Sequence, residues 1–178
     1  MVQILVIGGI AVVILVVCIL ALAASKPDAF RIQRSQRMKA SPEKIYAVIN
    51  DFHRWSEWSP WEKLDPELKR TYGGSASGEG AVYEWQGNKQ VGQGRMEIRE
   101  ALPPSKVTIQ LDFLKPFEAH NTAEFALERQ GEFTNVTWAM HGRQPFMFKA
   151  MGLFFSMDKM VGKDFEKGLD NMKGIVEK

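Results

Sequence analysis

The sequence predicts an α+β fold: a curved antiparallel sheet wrapped around a long C-terminal helix, preceded by one N-terminal transmembrane helix. Three observations predict it. An unbroken apolar run fills the N-terminus. Apolar and polar residues then alternate through the middle of the chain. Helical spacing dominates again from Pro145 to Val176. Strands grouped together, with helices set apart from them, mark the α+β class.

The run from Ile4 to Ala24 holds no charged or strongly polar side chain. As a helix it spans roughly 31 Å at about 1.5 Å per residue, close to the hydrocarbon thickness of a bilayer. A cleaved signal peptide is the competing reading, and Ala21-Leu22-Ala23 does look like a small-residue cleavage site. Signal peptides carry a basic first segment and an apolar core of about 7–15 residues. Here the core is longer, and none of the first 25 residues is Lys or Arg. The expected organisation is an anchor over residues 1–25 and one ligand-binding domain over residues 26–178.

Lys26, Arg31, Arg34, Arg37 and Lys39 follow the anchor, opposed only by Asp28. The positive-inside rule then puts the N-terminus outside and the C-terminal domain in the cytoplasm. The whole chain carries only +2, so this basic segment leaves the remainder slightly acidic. No basic face for nucleic acid is expected, whereas anionic headgroups suit the segment. The single cysteine, Cys18, lies in the anchor, so no internal disulfide or thiolate metal site is available.

In the soluble part, Phe30 to Ser35 alternates as a half-buried strand does. Ser41-Pro42-Glu43-Lys44 opens a helix, with Ser41 as N-cap and Pro42 in the first position. Residues 51–61 hold three of the five tryptophans, and Pro60 stops helix there. Strands are expected at Lys69–Tyr72, Ala81–Trp85, Val91–Ala101, Val107–Phe113, Glu118–Glu128 and Asn135–His141. Gly92 and Gly94 suggest a bulge. In the C-terminal helix Met147, Met151, Phe154, Val161, Phe165, Met172 and Val176 form one stripe, with a kink or break expected near 155–163. Phe146, Phe148 and Phe155 cannot share that stripe and suggest an exposed apolar patch, a lid or a membrane contact.

The helix opened by Ser41-Pro42-Glu43-Lys44-Ile45-Tyr46 resembles the first helix of the SRPBCC superfamily, the START-like or helix-grip proteins. The block Asn50-Asp51-Phe52…Trp55…Trp58-Ser59-Pro60-Trp61 resembles the polyketide cyclase/dehydrase and lipid-transport branch. The resemblance covers about residues 30–176. It implies a deep apolar cavity between sheet and long helix that binds a hydrophobic small molecule or lipid. It carries over no fixed catalytic motif.

If the cavity exists, the inward positions must line it. These are Trp58, Trp61, Tyr83, Trp85, Phe113, Phe125, Trp138, Met140, Met151, Phe154 and Phe165, about half of which are expected to touch the pocket. Asn121 shares strand parity with Ala123, Phe125 and Leu127, so its buried amide needs a partner, a water or a ligand head. The glycine-rich segment 73–80 lacks the Gly-Lys-Ser/Thr ending of a phosphate loop and reads as a flexible lip. His53, His120 and His141 are scattered, and His120 and His141 fall on the outer face. No zinc motif, catalytic triad or carboxylate pair emerges, the last among Glu84, Glu97, Glu100, Glu118, Glu124 and Glu128. No cofactor or metal is expected. The sequence thus favours membrane-tethered binding, as carrier or sensor. A cyclase/dehydrase-like enzyme and a protein-interaction module are the alternatives. Ligand identity and oligomeric state are left open.

Overall fold

The apolar N-terminal run folds as helix α1, Val2–Ala24. The computed structural model describes residues 2–178, with side chains described for all but residues 2, 4–6 and 12. The stretch Ile7–Ala24 has a mean hydropathy of 3.1 and is only 6% buried. It is therefore long and apolar enough to cross a membrane, and the rest of the chain covers almost none of it.

Strand β1, Ala29–Met38, leads into helix α2, Pro42–Ile49. The Ser41 hydroxyl accepts the Lys44 N–H at 3.3 Å and caps α2. A 3-10 turn at Phe52–Arg54, the short helix α3 at Trp55–Trp58 and a second 3-10 turn at Pro60–Lys63 follow. The Trp55 indole N–H donates to the Ile49 carbonyl at 2.9 Å, and that of Trp58 to Val48 at 3.4 Å. A helix end leaves such carbonyls without partners, so the tryptophan block docks by finishing α2.

The sheet comprises β1, β2 (Lys69–Gly74), β3 (Ala81–Gln86), β4 (Gln93–Leu102), β5 (Lys106–Lys115), β6 (Ala119–Gln130) and β7 (Phe133–Arg143). Its order is β1-β7-β6-β5-β4-β3-β2, and every neighbouring pair is antiparallel. Alternation holds through the centre. Val107 and Ile109, then Asn121, Ala123, Phe125 and Leu127, then Val136, Trp138 and Met140 are buried. The register shifts between Gln93 and Gly94 and between Ile98 and Glu100, and such bulges bend a sheet. Glycine is required at 94, because a Cβ there would collide with the Trp85 indole.

At the C-terminus the helical segment is divided in two. Helix α4 runs over Phe146–Met151 only, and helix α5 over Met157–Val176. The break lies at residues 152–156, overlapping the start of the kink or break expected near 155–163. Lys149 on α4 is buried in an ion pair with Asp28, and Lys26 Nζ donates to the Gly152 carbonyl at 3.1 Å. These bonds hold α4 beside the end of α1, away from the line of α5. Met147, Met151 and Phe154 therefore leave the inward stripe and are exposed, together with Phe146 and Phe155.

Helix α5 restarts at Ser156, whose hydroxyl accepts the Lys159 N–H at 3.3 Å. It lies against the sheet, burying Phe165, Leu169, Met172 and Val176. Arg34 on β1 clamps its first turns, bonding Asp158 at 3.0 Å and Glu166 at 2.6 Å. The result is the helix-grip arrangement, a curved seven-stranded sheet holding a long C-terminal helix.

Candidate functional site

Bending the sheet away from α5 leaves a cavity of about 290 Å³ between them. Aromatic side chains dominate its wall. Trp61 comes from the second 3-10 turn, Tyr83 and Trp85 from β3, Phe113 from β5, Trp138 from β7 and Phe165 from α5. Met96 and Met140 add adaptable thioethers. The rings brace one another edge to face. Trp61 meets Trp138 at 5.7 Å and Phe165 at 6.2 Å, and Trp85 meets Phe113 at 5.8 Å.

The wall also carries two carboxylates outside the residues expected from the sequence, Glu62 and Asp164. Glu62 is buried. Its Oε1 accepts the Tyr83 hydroxyl at 2.6 Å, and its Oε2 accepts Arg70 Nε at 2.6 Å. Arg70 Nη2 also donates to the Glu62 carbonyl at 3.1 Å. Burial, then the bond to Glu62, pushes the Tyr83 phenol well above its ordinary pKa, so it stays a neutral donor. Burial likewise raises the Asp164 carboxyl, with Lys167 opposing the shift.

A second chamber of about 240 Å³ adjoins the first. Phe113, Met140 and Val161 line both. Asn121 faces this second chamber, along with Phe30, Phe117, Pro145 and Phe148.

Of the residues singled out from the sequence, Trp61, Tyr83, Trp85, Phe113, Trp138, Met140 and Phe165 line the main cavity. Asn121 lines the neighbouring one. Trp58 and Phe125 lie in the packed core behind the wall, their rings 6.0 Å apart edge to face. Met151 and Phe154 reach neither chamber. They are 48% and 67% exposed, because the chain breaks between α4 and α5. His120 and His141 lie on the outer face, bonded or paired to Asp112 and Glu124. The glycine-rich segment is a tight return from β2 to β3. Gly74, Gly78 and Gly80 have positive φ there, and the Gly78 N–H donates to the Asn50 carbonyl at 2.9 Å.

A signal for Asp164 was present. It stands three residues after Val161 and beside Phe165, inside the inward stripe of α5. Glu62 had none, since Pro60-Trp61-Glu62-Lys63 lacks a periodic pattern.

The fold is shared with solved structures at low identity. Protein CV1439 from Chromobacterium violaceum aligns with a TM-score of 0.58 and 13% identity, covering 85% of this chain and 99% of its own. The major latex-like protein 151 from Panax ginseng gives 0.61 and 10%, covering 84% and 99%. The di-domain ARO/CYC BexL from the BE-7585A biosynthetic pathway gives 0.63 and 10%, covering 89% of this chain and 53% of its own. No curated protein matches the sequence. A sequence model for polyketide cyclase/dehydrase and lipid transport matches residues 29–177. With the sheet, the α5 grip and the cavity between them, that match covers the whole domain after α1, and the chain belongs to the polyketide cyclase/dehydrase and lipid transport family of the SRPBCC superfamily.

Proposed function

We propose that this chain is a membrane-tethered binding protein, carrier or sensor, for a hydrophobic small molecule or lipid. The observation that carries this reading is the aromatic cavity between sheet and α5. Burial of apolar ligand surface there is worth about 25 cal/mol per Å² before ordering costs. Trp61, Tyr83, Trp85, Phe113, Trp138, Met140 and Phe165 form the binding wall. The Glu62 and Asp164 carboxyls favour a ligand that also carries a hydroxyl or another donor.

Residues 1–25 serve as the anchor and residues 26–178 as the binding domain. The Ile7–Ala24 helix supports this division by its length, its apolar composition and its lack of cover. The basic flank from Lys26 to Lys39 supports a cytoplasmic domain.

The test is retention. The full chain, purified in detergent, stripped of lipid and passed through a total lipid extract, should carry a small apolar molecule in native mass spectrometry. An interior that stays empty in every extract would end the binding reading. A reporter fused after Lys178 that is active only outside the cytoplasm would reverse the orientation.

A second reading, cyclisation or dehydration of a bound polyketide-like substrate, is favoured by one observation. The desolvated Asp164 carboxyl lines the cavity that also holds Tyr83 and Glu62, and a carboxyl with raised pKa suits general acid work. Under this reading Asp164→Asn abolishes turnover and leaves ligand retention intact.

A further inference from the structure

The second chamber opens beside α4, the helix that packs on the end of α1. Ala23 is fully buried there. Lys26 Nζ bonds the Gly152 carbonyl, Gln144 N–H donates to the Asp28 carbonyl at 2.7 Å, and Lys149 pairs with Asp28. Where the chain leaves α1, α4 is therefore held at a fixed place.

This fixed element is apolar on its outside. Phe146, Met147, Met151, Phe154, Phe155 and Met160 are all exposed within fifteen residues of one another, three of them aromatic. Phe117, from the loop between β5 and β6, extends the patch. It is exposed, and its ring meets Phe148 edge to face at 6.0 Å. The basic side chains Lys115, Arg143, Lys159 and Lys163 are exposed around it. From Arg143 to Lys163 the only acidic residue is Asp158, which Arg34 already holds. A short segment with aromatic and methionine side chains on one side and lysine or arginine at its edge matches the headgroup layer of an anionic bilayer.

Behind this patch lies the second chamber. Phe117, Pro145 and Phe148 form its outer wall, and Lys115 and Arg143 stand at its rim. Phe113, Met140 and Val161 separate it from the main cavity. We propose that α4, the 152–156 turn and the Phe117 loop rest in the headgroup layer of an anionic bilayer, and that the second chamber is the doorway through which a bilayer-resident molecule enters the main cavity. The doorway rests on the reading of that cavity as a ligand site. The surface rests only on α1 spanning the bilayer.

The test uses the full chain, with Cys18→Ser, in vesicles of phosphatidylcholine and phosphatidylglycerol. An environment-sensitive fluorophore is attached at Phe155→Cys or, as the control at the opposite end of the sheet, at Glu132→Cys. Lipid spin-labelled near its headgroup should quench the label at 155 and spare the label at 132. Equal and weak quenching at both overturns the surface. Separately, vesicles are loaded with a dansyl-labelled fatty acid, and entry is followed by energy transfer from the cavity tryptophans. Phe154→Asp with Phe155→Asp, both at exposed positions, should slow entry by about tenfold while leaving the final transfer level unchanged. An unaltered rate overturns the doorway. If the parent chain shows no transfer at all, the cavity reading and its doorway fall together, and the quenching result still decides the surface.

Discussion

The Trp138 indole lies flat on the Phe165 ring, with centroids 4.1 Å apart and planes 4° from parallel. One ring belongs to β7 and the other to α5, so this stack sets the distance between sheet and helix at the cavity floor. Gly168, one turn further along α5, makes the approach possible. A Cβ there would sit 2.8 Å from Trp138 Cζ3 and 3.2 Å from Pro60 Cδ.

Gly168→Ala should therefore overpack this contact. Inserting a methyl into a close-packed site costs about 1–3 kcal/mol, partly offset by the better helix propensity of alanine. Urea unfolding in detergent should show an earlier midpoint with an unchanged slope. A later midpoint would mean that α5 is free to move off Trp138.

Glu62 joins three elements: its own turn, β2 through Arg70 and β3 through Tyr83. Glu62→Gln removes the charge from a buried bond to a guanidinium, and bonds to charged groups are worth about 1.5–3 kcal/mol. A loss of about that size is expected. Tyr83→Phe in the Glu62→Gln background should cost less than in the parent, because the two share one bond. A double-mutant cycle with no coupling would remove the link.

Gly94→Ala tests the β3–β4 wall. The new methyl would occupy the place of the Trp85 ring edge and press on the Asp112 carbonyl. Trp85 would have to swing, giving up its indole bond to the Val91 carbonyl at 3.2 Å. Tryptophan emission should shift to the red, and stability should fall, together with retention of any apolar molecule that the parent chain retains. Unchanged emission with lowered stability would place the damage in the backbone alone.

Strand alternation made the sheet legible, and even the inward parity of Asn121 could be read from it. The Trp85, Phe113 and Trp138 faces followed from the same parity. What alternation does not carry is depth. Trp58 and Phe125 point inward as surely as Trp61 and Trp138, but both are fully buried, with the Trp55 and Trp138 rings packed against each of them. The inward stripe also starts later than its period implies. Met147, Met151 and Phe154 keep the period of α5, yet the Lys149–Asp28 pair couples α4 to the exit of α1, a contact separated by 121 residues in sequence. Glu62 was invisible for the same reason, since its partners Arg70 and Tyr83 reach it only through the folded sheet.

Asp164 gives the pH dependence a direction. Burial raises its folded pKa above the ordinary 3.8, so the folded chain keeps a proton that the unfolded chain has already released. The stability this contributes is complete below about pH 4 and is lost as pH rises through the folded pKa. Asp158 acts in the opposite sense. Its bond to Arg34 lowers its pKa, and the stability it contributes is lost on acidification. The two effects overlap in the parent profile, so the difference between parent and Asp164→Asn is the quantity to follow. Unfolding midpoints in detergent, taken at steps from pH 4 to pH 7, should show the parent losing ground to Asp164→Asn as pH rises. A difference that stays constant across that range would show that Asp164 is as well solvated in the folded chain as in the unfolded one, and would remove the basis for assigning it an acid's role in the cavity.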